Sequence, residues 1–247
     1  MANLRFYTDV PLAIGVGIQL SESAAGHAIR ALRLNVGDSA IVFNGDGFDY
    51  TCTLTEIKKN AVFAIINSAK KIANESHLNI TLLQAISSGD RMDFTIQKAV
   101  ELGVTSIQPF MSQRSVVKLS SERAEKRTEH WQNIAIAACE QSGRAVVPKV
   151  YAPLSVSQLF AQFNTLTETS ACKITLAPNA TSQLKSMQKP TGTIYVLIGA
   201  EGGLTDDEIS ISITHGFQSI QLGTRILRTE TAAVAAIAAI QTLWGDF

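Results

Sequence analysis

The sequence predicts an α/β protein: a small N-terminal β-barrel followed by a larger domain with a mostly parallel sheet. Three patterns predict this. Polar and apolar residues alternate at period two between Phe48 and Thr55, short apolar strands alternate with helices from Leu78 onward, and two late strands each run into a glycine-containing loop.

In the first part, Phe48, Tyr50, Cys52 and Leu54 interleave with Asp49, Thr51, Thr53 and Thr55, the pattern of a strand with one buried face. Asn44-Gly45-Asp46-Gly47 is a turn signal ahead of it. Lys58-Lys59-Asn60 separates it from a second apolar segment, Ala61 to Ile66, so a hairpin is predicted. One short helix lies between Ser21 and Leu34, stopped by Asn35 and Gly37. The polar stretch Lys70 to His77 suits a linker, which divides the chain into an expected β-barrel over 1–72 and an α/β domain over 73–247.

In the second part the predicted strands are Leu78 to Ile86, Val104 to Phe110, Val146 to Tyr151, Cys172 to Ala177, Ile194 to Ile198 and Ser219 to Leu222. Helices are predicted from Asp90 to Leu102, ended by Gly103, and from Ser121 to Ser142, ended by Gly143. A third, Ala232 to Leu243, is dominated by alanine. Small side chains of that kind let another helix approach closely, including one from a second subunit.

Composition excludes more than it identifies. Of 247 residues, 46% are hydrophobic and 17% charged, an ordinary globular balance. The formal net charge is +0, so an RNA site would have to be a local cluster of arginines. Cys52, Cys139 and Cys172 are widely spaced and lack a CxxC pair, which argues for buried reduced thiols over disulfides or zinc. His27, His77, His130 and His215 have neither metal-ligand nor triad spacing, so no metal is expected. Pro11, Gly15 and Gly17 interrupt the one apolar stretch near the N-terminus, and no run reaches membrane-spanning length; the expected location is the cytoplasm, away from membranes.

Open parallel sheets bind ligands at the carboxyl ends of their strands, where both glycine loops fall. The first is Ile198-Gly199-Ala200-Glu201-Gly202-Gly203-Leu204-Thr205. Its glycines would let a ligand lie against bare backbone, although a tight strand-to-helix turn would use them too; Thr205 and Glu208 form a capping box for the next helix. The GxGxxG fingerprint is not matched and no Walker lysine follows, so dinucleotides and nucleoside triphosphates are disfavoured. The second loop, Leu222-Gly223-Thr224-Arg225-Ile226-Leu227-Arg228-Thr229-Glu230-Thr231, places two arginines and a glutamate between a strand and a helix. Such charges suit an anionic substrate beside a cationic cofactor, while an internal Arg–Glu pair steadying the turn is the competing use.

Together with Lys98-Ala-Val-Glu-Leu-Gly-Val and Ala138-Cys-Glu-Gln-Ser-Gly-Arg, these loops resemble the bacterial 16S ribosomal RNA (uracil-N3)-methyltransferases of the SPOUT class. The resemblance extends to Gly26-His-Ala-Ile-Arg-Ala-Leu-Arg-Leu and Val36-Gly-Asp, similar to that family's PUA-like RNA-binding barrel. One departure is Ala200, where the family usually carries proline. The resemblance implies a trefoil-knotted catalytic domain, a homodimer and S-adenosylmethionine as cofactor. Carried over by residue, it implies cofactor contacts at Leu176, Ile198, Gly199, Glu201, Gly202, Gly203, Leu222, Gly223, Ile226, Leu227 and Thr229, with Arg228 and Glu230 as catalytic residues at the target uridine. The RNA-facing candidates are Arg5, Arg30, Arg33, Arg114, Gln141, Arg144 and Arg225. The implied partner is 16S ribosomal RNA within the small ribosomal subunit. A non-catalytic RNA-binding or ribosome-assembly protein on the same fold is the alternative.

Overall fold

The computed structural model describes residues 4–115 and 121–247. The chain divides into two compact units: the first runs to Glu75 and also takes in Ile136–Val147, and the second comprises Ser76–Ala135 and Pro148–Phe247.

The first unit contains β1 (Arg5–Tyr7), β2 (Gly17–Gln19), α1 (Glu22–Gly26), β3 (Ser39–Phe43), β4 (Phe48–Lys58) and β5 (Ala61–Lys71). They form a five-stranded sheet in the order β1-β3-β4-β5-β2, antiparallel except for the β1/β3 pair. The alternation read from the sequence is the burial pattern: Tyr50, Cys52 and Leu54 are buried, and Thr51 and Thr53 are half-buried. The β4–β5 ladder shifts register at Thr51/Cys52 and again at Leu54/Glu56. Bulges of this kind bend a long hairpin and let it wrap one core, here Phe6, Val42, Cys52, Leu54, Val62 and Ile66. The hairpin is longer than its apolar segments suggested. Lys70 and Lys71, expected in a linker, pair with Asp49 and Phe48, because backbone pairing needs no apolar side chain at an open end. The predicted short helix is α1 continued by one π-turn, His27–Ala31.

The second unit contains β6 (Ile80–Ala85), α2 (Gly89–Glu101), β7 (Ser106–Met111), the first part of α3 (Ser121–Ser142), β8 (Lys149–Val150), β9 (Leu154–Ser155), α4 (Val156–Asn164), β10 (Cys172–Leu176), β11 (Ser182–Gln183), β12 (Ile194–Ile198), α5 (Asp206–Thr214), β13 (Gln218–Gln221) and α6 (Thr229–Trp244). The sheet order is β11-β13-β10-β12-β6-β7-β8, with β9 also on β7, and its ladders are parallel. Central strands are buried on both faces, which is why β12 reads as an apolar run and β6 as one broken only by Thr81 and Gln84. β13 lies beyond β10, yet the helix that follows it packs back on α2 and β12 near the middle of the sheet. The chain therefore doubles back beneath strands laid down earlier, the arrangement of the trefoil-knotted α/β fold. Of the helices, α4 was not foreseen from the sequence; a Ser155/Gln158 capping box starts it, and Leu159 and Phe160 bury its inner face.

Candidate active site

β10, β12 and β13 end side by side, and the loops that leave them, 177–180, 199–205 and 222–228, enclose a cleft of about 490 Å³. That is ample for one small molecule. Leu176 and Ile198 lie at its floor, Glu201, Gly202 and Gly203 on one wall, and Leu222, Gly223, Arg225, Ile226, Leu227 and Thr229 on the other, with Arg114 at the rim.

Gly199 explains why the first loop can be so tight. A Cβ built there would stand 2.7 Å from both the carbonyl carbon of Gly203 and the backbone nitrogen of Leu204, so no other residue fits without moving the loop. Gly203 and Gly223 have φ of +69° and +74°, the left-handed conformation that favours glycine. Gly202 serves differently from what its position suggested: the space beside its Cα belongs to the side chain of Arg114, whose Cβ is 3.0 Å from where a Gly202 Cβ would be.

Buried hydrogen bonds lock these loops to the sheet. The hydroxyl of Thr229 donates to the Gly199 carbonyl at 2.6 Å and accepts from Nε2 of Gln84 at 3.0 Å. The end of β12, the start of α6 and β6 thereby meet at one point. The Thr205/Glu208 capping box is formed in both directions, and Glu208 also accepts the Gln113 backbone N–H at 2.7 Å. Arg114 donates to the carbonyls of Gly202 and Leu204 at 2.8 and 3.3 Å. The turn after β7 thus braces the glycine loop.

Glu201 points toward the start of α2. One of its oxygens accepts from the backbone N–H and hydroxyl of Ser88 at 2.8 and 2.7 Å and from Arg91 at 3.1 Å. The Ser88 side chain makes no capping bond to its own helix and is turned to Glu201 instead, which brings a carboxylate from a distant loop to the positive end of α2. Burial pushes the Glu201 carboxyl up, but the hydrogen bonds from Ser88 and Arg91 outweigh it and hold the group below the usual carboxylate range. Arg91 also lies 3.9 Å from Glu230.

The expected cofactor residues are therefore gathered in one cleft. Arg228 is the exposed N-cap residue of α6 and Glu230 sits in that helix's first turn; neither lines the cleft. Among the described residues no apolar enclosure surrounds Arg228, which is exposed, and Ile226 in the same loop is 85% exposed. Arg30, Arg33, Gln141 and Arg225 are exposed. Arg5 and Arg144 are not available to RNA: each is only 4% exposed, Arg5 is paired with Asp49 at 2.6 Å, and Arg144 is held by Glu75 at 3.0 Å. They are interior ion pairs of the first unit. Arg114 is exposed but engaged with the glycine loop. Gln84, Ser88 and Arg91 were missed by the sequence reading; their one signal was their place at the carboxyl end of a parallel strand.

Residues 74–241 match the RNA methyltransferase domain family, and residues 20–67 match the RNA methyltransferase PUA domain family. The chain is 35% identical over 245 residues to the ribosomal RNA small subunit methyltransferase E of Buchnera aphidicola subsp. Acyrthosiphon pisum, covering 98% of this chain and 94% of that protein. The protein of that name from Bacillus subtilis is 32% identical over 221 residues, covering 87% and 85%. Among solved structures, the Neisseria gonorrhoeae ribosomal RNA small subunit methyltransferase E bound to S-adenosylmethionine superposes with a TM-score of 0.90 at 43% identity over 99% of both chains. A methyltransferase of Legionella pneumophila, solved with the same cofactor bound, superposes at 0.94 with 36% identity over the full length of both. The chain belongs to the RNA methyltransferase family, in the group of the ribosomal RNA small subunit methyltransferases E.

Proposed function

We propose that this protein methylates N3 of a uridine in the 16S ribosomal RNA of the small ribosomal subunit, with S-adenosylmethionine as methyl donor. The observation that carries the reading is the cleft at the ends of β10, β12 and β13, where Gly203 and Gly223 present bare backbone with nothing within 4 Å of a would-be Cβ. Its mixture of apolar floor and exposed peptide groups suits an adenosine moiety and an amino-acid tail together. Leu176, Ile198, Gly199, Leu222, Ile226 and Leu227 would hold the donor by backbone contacts and packing. Glu201, Gly202, Gly203, Gly223 and Thr229 would complete the enclosure. The two structures solved with this cofactor support the assignment through their likeness over the whole chain.

When bound, S-adenosylmethionine supplies a methyl group on a positively charged sulfur. The chain must do the rest. N3 of uracil carries a proton that has to leave before or during attack, so groups that favour the uracil anion accelerate the step. Arg228 is suited to this: it is exposed at the N-terminus of α6, beside the cleft loop, with no carboxylate partner among the described residues. Glu230, in the first turn of the same helix, is the candidate to receive the proton. Alignment of nitrogen, methyl carbon and sulfur falls to the two glycine loops.

Arg30, Arg33, Gln141 and Arg225 remain as RNA-facing groups, and the PUA family match over 20–67 supports RNA binding by the first unit. A homodimer is part of the reading, supported by α6, where Ala232, Ala235, Ala238 and Ala239 are only half-buried and Leu243 is 46% exposed. No described helix is long and apolar enough to cross a membrane, and a cytoplasmic location is part of the reading, supported by the ribosomal substrate. Incubating the protein with small ribosomal subunits and methyl-labelled donor tests the reading. Label recovered as N3-methyluridine is the expected result; label absent from RNA, or on another atom, overturns it.

A further inference from the structure

Arg91, in the first turn of α2, reaches acids from two different loops. Its Nη1 lies 3.1 Å from Oε1 of Glu201, in the loop after β12, and its Nε lies 3.9 Å from Oε1 of Glu230, just past the loop after β13. Both carboxylates are mostly covered, with side-chain exposures of 21% and 16%. The Oε2 atom of each is buried and has no hydrogen-bond partner among the described residues. One guanidinium on α2 therefore reaches a mostly covered carboxylate from each of the two cleft loops. Without it, two mostly covered carboxylates would lose their shared cation, and the tie between the two loops would be gone.

We propose that Arg91 is a positioning residue for methyl transfer, fixing the glycine loop and the start of α6 at one spacing through Glu201 and Glu230. The proposal rests on the reading of the cleft as the S-adenosylmethionine site. A planar guanidinium serves both acids at once, whereas a lysine ammonium is a single point charge. Because misplacement of reacting groups by about 1 Å can cost on the order of a hundredfold in rate, Arg91→Ala should lower turnover by about that factor. The melting temperature of the ligand-free protein should stay within about 4 °C of the parent. Arg91→Lys should recover only part of the loss. In an E201Q/E230Q background, where no carboxylate is left for it to hold, adding R91A should change S-adenosylmethionine affinity by less than about threefold further, the non-additivity of groups acting as a unit.

Calorimetry with S-adenosylmethionine and turnover on small ribosomal subunits read these outcomes. Failure of the parent protein to bind S-adenosylmethionine would remove the reading of the cleft itself. With binding intact in the parent, normal affinity and turnover in R91A would overturn the positioning role alone. So would a loss that is fully additive with E201Q/E230Q, or one that simply follows unfolding.

Discussion

Replacing Gly199 with alanine isolates what the bare backbone of the first loop does. The added Cβ would stand 2.7 Å from the Gly203 carbonyl carbon, 2.7 Å from the Leu204 nitrogen and 2.9 Å from the Gly203 Cα, all backbone atoms that cannot rotate away. Ordinary carbon contacts lie near 3.5 Å or beyond, so the loop must retreat by roughly 0.8 Å. Overpacking of this size typically costs about 1–3 kcal/mol. For a chain this long, that corresponds to a melting temperature lower by roughly 2–12 °C. The retreat also strains the bond from the Thr229 hydroxyl to the Gly199 carbonyl, which ties this loop to α6. If half of the strain is felt at the cleft, about 0.5–1.5 kcal/mol, affinity for S-adenosylmethionine falls by roughly two- to twelvefold, at 1.4 kcal/mol per decade. Calorimetry and thermal denaturation measure both effects. Gly37→Ala, away from the cleft, is the control: its φ is +94° with nothing within 4 Å of the new Cβ, so it meets conformational strain without a clash. Unchanged affinity and melting temperature in Gly199→Ala would refute the close-approach argument.

Three further predictions concern charge and assembly. Arg228→Ala should lower turnover at saturating RNA and cofactor by on the order of a hundredfold while leaving S-adenosylmethionine affinity intact; normal turnover would transfer the role to Arg225. Glu201 is held below the usual carboxylate range, so its contribution is complete above the ordinary value of 4.5 and lost as pH falls through its lowered value. Cofactor affinity measured by calorimetry should therefore be insensitive to Glu201 from pH 7 to 5 and weaken in stronger acid, and Glu201→Gln should remove that acid limb. Sedimentation should give a dimer, which a bulky Ala235→Trp substitution on α6 should dissociate; a fully active parent monomer would contradict the assembly.

The parts of the fold governed by periodicity were legible in the sequence. Tyr50, Cys52 and Leu54 alternate because β4 has one face on a core, and β12 reads as an apolar run because it is central in a parallel sheet. The capping box at Thr205 and Glu208 was equally clear, since it is local chemistry between residues three apart. What stayed hidden depends on long-range closure. Nothing in the spacing of Arg5 and Asp49, or of Arg144 and Glu75, reveals that they meet inside the first unit, so those arginines looked like surface charges. Gln84 reads as one polar interruption in an apolar strand, and only the return of α6 brings Thr229 to it, 145 residues later in the chain. The same return places Arg91 between Glu201 and Glu230. The loops that form the cleft were visible; the groups that hold them in place were not.

The central claim is that the cleft over Gly199 delivers a methyl group to N3 of a ribosomal uridine. Nucleoside mass spectrometry of 16S ribosomal RNA tests it most directly, comparing cells that lack this protein with cells resupplied with the parent or with the Gly199→Ala and Arg228→Ala forms. One N3-methyluridine should disappear without the protein, return with the parent and stay deficient with either variant. Full N3-methylation in cells lacking the protein would contradict it.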